Sequence, residues 1–256
     1  MTGSIIYEHP LNEVIRLCLR LEQLFERIDH QLKDTTQLGS RCVIASIIEA
    51  LQLLDRPDLK AKLARELSYH LTNLSKYRNL PDIDEHKLKQ LTHQLDELAH
   101  SLIENSKKIG HRLREIELLN VLRLHLNNPG GASSFDVPLY HYWLQQPAAV
   151  RQKIILDWLS DFEQIKTATT LALDLIRKHS KMEHKTAIHG FHQELLDPQT
   201  NLRMIRISIE STIPVYPEIS VGRHFLSIRW FCADDIEKRP EQYIENIGFY
   251  LGYCLL

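Results

Sequence analysis

The chain has 256 residues, 43% hydrophobic and 25% charged, with only nine glycines; that suffices for one large core or two modest ones and excludes global disorder. Its 31 lysines and arginines nearly cancel 33 aspartates and glutamates, so the basic surplus that gives a nucleic-acid binder its affinity is missing. Cys18, Cys42, Cys232 and Cys254 never form a CxxC pair, which removes zinc-ribbon and dithiol readings and leaves buried, reduced thiols as the expectation.

The opening MTGSIIYEHP carries neither a basic n-region nor a long apolar stretch, so no secretory leader is expected. No apolar run approaches the roughly 20 residues that span a bilayer, and a soluble cytoplasmic protein is expected. SIIYE reads as a strand that joins a sheet built from the other end of the chain. From Leu11, apolar residues at 11, 14, 15, 18, 21, 24, 25, 28 and 32 form one stripe on a long helix, with Pro10 in its first turn, where a missing N–H costs nothing. Further helices are predicted over about 40–54 and 57–77, then from an N-capping Asp84 through Leu88, Leu91, Leu95, Leu98 and Leu102, then over 111–127 after a break at Gly110. The glycine- and proline-rich 127–138 is a loop. Helices over 138–145 and 147–162 and a longer one to about 179 follow, of which 167–176, rich in alanine and leucine, is expected to be the most buried.

After Lys181 the period switches to two. Met204, Ile205, Ile207 and Ile209 alternate with polar residues, as do Phe225, Leu226, Ile228 and Trp230, and 247–256 is a third apolar strand. Prolines in IPVYPEISVG argue for a connection there rather than a central strand. The predicted class is therefore α+β, with an N-terminal all-helical domain over 1–180 and a C-terminal antiparallel β-rich domain over 181–256.

Catalytic signatures are missing: the chain has no GxSxG, P-loop, GxGxxG or HExxH. Pro129-Gly130-Gly131 lacks the following Lys-Ser/Thr of a phosphate cradle and reads as a turn. His86, His93 and His100 recur every seven residues, about 10 Å apart on a helix, too far to share one ion; they read as a solvated face. His184, His189 and His192 lie near a strand start without an evident carboxylate partner. Ser134, Asp136 and His141 contain the letters of a hydrolase, yet Ser134 and Asp136 serve equally as loop and cap residues for the helix at Pro138. The remaining signal is cationic. Arg16, Arg20 and Arg27 line the first helix, and Arg112, Arg114 and Arg123 the fifth. They read either as surface arginines paired with Glu13, Glu22, Glu115 and Glu117, or as a small site for an acidic peptide, since the guanidinium fork suits carboxylates.

Three stretches carry a resemblance: YEHPLNEVIRLCLRLEQLF at 7–25; the block from LRE at 113–115 through VLRLHLNNPGGASSFDVPLYHYWL, ending at 144; and LDLIR, GFHQ and YPEIS at 173–177, 190–193 and 216–220. Together they resemble the ZapD family of bacterial cell division proteins from end to end. The resemblance implies a homodimer at the mid-cell division site that binds the C-terminal tail of FtsZ and bundles FtsZ filaments to stabilise the Z-ring. It implies no catalysis and no cofactor; from the residues themselves no metal, no nucleic acid and no membrane insertion are expected. The family's tail-binding surface is cationic, and the matching positions here are Arg20, which ends EHPLNE…LR, and His141, after SSFD.P. Relatives carry an arginine a few residues after LRE where this chain has Glu117, so Arg114 or Arg112 is expected to supply the charge, beside Arg16, with Tyr142 and Trp143 offering apolar contact. The alternatives are a small hydrolase using Ser134, His141 and Asp136, or a helical nucleic-acid-binding module.

Overall fold

A computed structural model describes residues 3–77, 84–105, 107–235 and 237–255; the last residue expected in the 247–256 strand lies outside them. The protein is α+β, with helices first and antiparallel strands last. Its contacts divide the chain into two compact units, one of Leu17–Leu173 and one of Met1–Arg16 with Asp174–Leu256.

The helices are α1 (Glu13–Gln31), α2 (Gln37–Leu53), α3 (Leu59–Ser75), α4 (Glu85–Glu104), α5 (His111–Arg114), α6 (Glu117–His125), α7 (Pro138–Leu144), α8 (Ala148–Leu159) and α9 (Glu163–Lys178). The stripe on α1 is buried at Ile15, Cys18, Leu21, Phe25 and Ile28. α2 is apolar on nearly every side: Val43, Ile44, Ile47, Ile48, Ala50 and Leu51 are all buried, as a helix surrounded by others requires. Its N-cap Thr36 accepts from the Gly39 amide at 3.2 Å. Asp84 caps α4 as expected, its carboxylate accepting from the His86 and Lys87 amides at 3.1 Å. Along α9, Ile165, Ala168, Ala172, Leu173, Leu175 and Ile176 are buried.

One predicted helix is two. The 111–127 pattern is interrupted after Arg114, where Glu115 and Ile116 bond three residues back, to Arg112 and Leu113, and the Asn120 side chain takes the Arg114 carbonyl at 2.8 Å. A side chain that satisfies a helix-end carbonyl lets the axis turn there.

Strands β1 (Ser4–Pro10), β2 (Lys181–Ala187), β3 (Phe191–Leu195), β4 (Met204–Glu210), β5 (Val215–Val221), β6 (Phe225–Cys232) and β7 (Ile247–Cys254) form two antiparallel sheets, ordered β1-β4-β7-β2 and β3-β6-β5. β1 runs against β4 with Ser4 opposite Glu210 and Pro10 opposite Met204. Ile205, Ile207, Ile209, Leu226, Ile228, Trp230, Phe249 and Leu251 make one core, with the Trp230 and Phe249 rings 5.3 Å apart. The supposed connection around Pro217 is a strand. Pro217 sits opposite Trp230 in β5, and β5 lies at the sheet's edge, where a residue without an N–H breaks no second ladder. Gly190, at the tight β2–β3 corner, has φ +66°, and a Cβ there would stand 1.7 Å from the Tyr243 carbonyl oxygen, so only glycine fits.

Candidate functional site

Within Leu17–Leu173, α1 and α2 lie side by side and leave a groove of about 410 Å³ lined by Arg20, Gln23 and Leu24 from α1, Glu49, Gln52 and Leu53 from α2, and Arg56 just beyond. One turn along α1, Arg27 ties the helices together, its Nε donating to Ser46 Oγ at 2.8 Å and its Nη2 to Glu49 at 2.6 Å. The groove's carboxylate is thereby matched by a cation outside the groove. Arg20 is exposed and has no polar partner among the described residues. The site is thus cationic at Arg20 and Arg56, with Leu24 and Leu53 as its apolar floor. Arg56 is the residue that the sequence did not point out. It lies two residues beyond the α2 C-cap Leu54 and precedes Pro57, and its only signal was a cation near a helix C-terminus.

The other arginines are committed elsewhere. Arg114, 15% exposed, donates Nη2 to the Leu51 carbonyl at 2.9 Å and Nη1 to Asp55, whose second oxygen lies 3.5 Å from Arg123. Arg112 is held by Asp157 and Asp161 at 2.6 and 2.7 Å; the bonds it donates to Asp161 and then Asp157 push its pKa above the usual arginine value. The partners are therefore aspartates from distant segments, where the sequence suggested Glu115 and Glu117. Arg16 does pair with Glu13, at 3.0 Å. It belongs to the other compact unit, where it lines a cavity with His9 and Arg223; burial, and then Arg16, lower the His9 pKa. Glu117 is exposed in the first turn of α6, where the helix dipole favours a carboxylate.

α7 packs at the opposite end of α2. Gln145 accepts from Gln37 at 3.1 Å, and the Arg41 guanidinium stands 5.2 Å over the Tyr140 ring, a cation–π contact. His141 and Tyr142 are exposed there, Tyr142 by 65%. Trp143 is 7% exposed and stacks on Tyr140 and Trp158 at 6.1 and 6.2 Å, so it is core and Tyr142 is the aromatic open to a partner. Arg41 and Leu51 are ten residues apart on α2, which is about 15 Å along the axis. His141 and Tyr142 therefore stand apart from the Arg20 groove along one helix.

The hydrolase alternative is not assembled. Asp136 accepts from the Ser133 amide at 3.0 Å and the Ser133 hydroxyl at 2.6 Å; the hydroxyl bond, then the amide, hold its carboxyl below the usual range. No bond joins Ser134, Asp136 and His141 among the described residues, and neither Ser134 nor Asp136 caps α7, whose N-cap Val137 has no side-chain bond. Among the described residues, no group of three or more His, Cys, Asp or Glu is placed to hold a metal ion, and no helix is long and apolar enough to cross a membrane. All four cysteines are free thiols; Cys18 and Cys254 are buried, while Cys42 and Cys232 are only half-buried. His93 and His100 are exposed beside Glu97 and Asp96, and His192 has the carboxylate partner that the sequence did not reveal, Glu194 at 2.9 Å.

The model of the ZapD family, described as cell division protein, matches residues 19–229. The chain is similar to the cell division protein ZapD of Coxiella burnetii, 34% identical over 252 residues that cover 98% of each chain. It is 34% identical over 256 residues to that of Methylococcus capsulatus, the full length of both. With that of Pectobacterium carotovorum it shares 33% identity over 234 residues, 91% of this chain and 92% of the relative.

Proposed function

Because the chain belongs to the ZapD family of cell division proteins, we propose that it is a non-catalytic cytoplasmic division factor that acts at mid-cell by binding the C-terminal tail of FtsZ and, as a homodimer, bundling FtsZ filaments. The observation that carries the tail-binding step is the α1–α2 groove, in which Arg20 faces solvent without an anion while Arg27 holds Glu49. An acidic segment entering the groove gains charge-assisted hydrogen bonds from Arg20 and places apolar side chains on Leu24 and Leu53. His141 and Tyr142 extend the surface along α2. Arg114 and Arg112 act behind it, one closing the end of α2 and the other tied to the segment at Asp157 and Asp161.

Bundling needs two tail sites on one object, and a two-fold dimer supplies them because the same patch occurs twice. The decisive measurement is titration with a synthetic FtsZ tail peptide beside a salt-dependent shift assay with duplex DNA. Saturable peptide binding that Arg20→Glu weakens by about thirtyfold, without DNA binding of comparable strength, is the expected result. DNA binding with no peptide binding would instead favour the nucleic-acid module.

A further inference from the structure

The connection from α4 to α5 contains NSKKIGHR at 105–112, and its two lysines have no part in the tail-binding groove. Together with Lys60 from α3 and with Asp161, Gln164 and Ile165, Asn105 and residues 107–112 of this segment wall a cavity of about 280 Å³. The lining carries Lys60, Lys107, Lys108, Arg112 and His111 against one carboxylate, Asp161. That carboxylate is already occupied by Arg112, accepting from Nε at 2.9 Å and Nη2 at 2.7 Å. His111 has its own partner in Glu115, at 3.3 Å.

Three cations are left without a counter-charge. Lys107 and Lys108 are exposed, and their side chains form no ion pair or hydrogen bond among the described residues. Lys60 is held differently: its ammonium donates to the carbonyls of Asn105, at 2.7 Å, and of Lys107. Carbonyls fix its position without neutralising it, and a third N–H remains for the cavity. Like charges gathered in a concavity repel one another, and the field they focus there attracts a counter-ion.

We propose that this cavity is a binding site for a compact phosphoanion, held by Lys60, Lys107 and Lys108 and separate from the Arg20 groove. Phosphate is favoured over carboxylate by the donors available. The Arg112 guanidinium is locked to Asp157 and Asp161, which leaves three ammonium point charges without a counter-ion, and such a cluster calls for a compact anion of more than one negative charge, as a phosphate carries and a single carboxylate does not. The phosphoanion is either free or the phosphate end of a nucleotide. The site is independent of FtsZ binding, and either reading can fail without the other.

Isothermal titration of the full chain with inorganic pyrophosphate and with ATP, both without magnesium, tests it. Saturable binding that weakens with added salt is expected. The double variant Lys107→Glu, Lys108→Glu, at two exposed positions, is expected to weaken both probes by about tenfold or more while its thermal melting stays that of the parent. Lys60→Gln is expected to weaken them as well. Pyrophosphate binding as tightly as ATP identifies a free phosphoanion, and tighter ATP identifies a nucleotide; both support the site. Lack of saturation with either probe, undiminished binding by the double variant, or succinate binding as tightly as pyrophosphate overturns it.

Discussion

Arg114 and Asp55 form a part-buried ion pair at the last turn of α2, with the same guanidinium capping the Leu51 carbonyl. A pair in that position stabilises the helix end, since a cation there opposes the dipole and satisfies an orphan carbonyl. Arg114→Ala is therefore expected to lower unfolding stability by about 2 kcal/mol, measured by chemical denaturation. Arg20→Ala, which breaks no hydrogen bond or ion pair among the described residues, should stay within about 0.5 kcal/mol of the parent. For tail binding the order reverses. Arg20→Glu is expected to cost about 2 kcal/mol, some thirtyfold in Kd. Full tail affinity in a folded Arg20→Glu protein would remove the groove from the mechanism.

The separation of the two ends of the surface sets a length for the ligand. Crossing about 15 Å takes about five extended residues. In a double-mutant cycle, Arg20→Ala and His141→Ala should each weaken a long tail peptide. A peptide of three or four residues should respond to only one of them. Equal sensitivity of the short peptide to both changes would place His141 and Arg20 in one compact pocket, against the geometry.

Acid stability should depend on Glu194. Burial alone would raise its pKa, but bonds from Tyr253, Lys185 and His192 outweigh burial and lower it; the Lys185 and His192 contacts are each 2.9 Å. With a depressed folded-state value, the stabilisation is complete above the unfolded value near 4.3 and is lost as pH falls through the folded one. Glu194→Gln should lower stability at neutral pH by about 1–3 kcal/mol and should converge with the parent in more acidic solution. Parallel pH profiles of melting temperature for the two proteins would contradict this.

A folded monomeric variant, found by screening charge substitutions with light scattering, should keep its affinity for the free tail peptide and lose filament bundling in sedimentation and microscopy. Avidity should fall too, since bivalent attachment to a polymer raises apparent affinity by about 10²–10⁴. A monomer that still bundles must carry two FtsZ sites on one chain, and the dimer bridge would then be wrong.

The amphipathic helices were legible because each buries one face: the stripe through Ile15, Cys18, Leu21 and Phe25 was written in the spacing. β2 and β3 were not. In KMEHKTA only Ala187 is fully buried, and in FHQEL the half-buried positions are His192 and Glu194 while the apolar Phe191 and Leu195 are exposed, so hydropathy does not follow the burial of either strand. β5 was obscured by Pro217, whose compatibility with a strand depends on an edge position that no local pattern encodes. At the site, sequence supplied the residue types but not their partners. Arg112 and Arg114 looked as available as Arg20 until folding brought Asp157, Asp161 and Asp55 to them from 45 to 59 residues away.

The pairing of β1 with β4 has a consequence for synthesis. The first strand leaves the ribosome roughly 200 residues before its partner exists, a delay of roughly 10–40 s at typical bacterial elongation rates. During that interval Ile5 and Ile6, which stay partly open even in the finished sheet, are displayed on a segment with no ladder to join. Most of the helices are complete before then, so the nascent chain passes through a stage with a folded helical body and a sticky, waiting N-terminus. Chaperone capture at this stage, or interference from a bulky N-terminal fusion, would act on the sheet and leave the helices untouched.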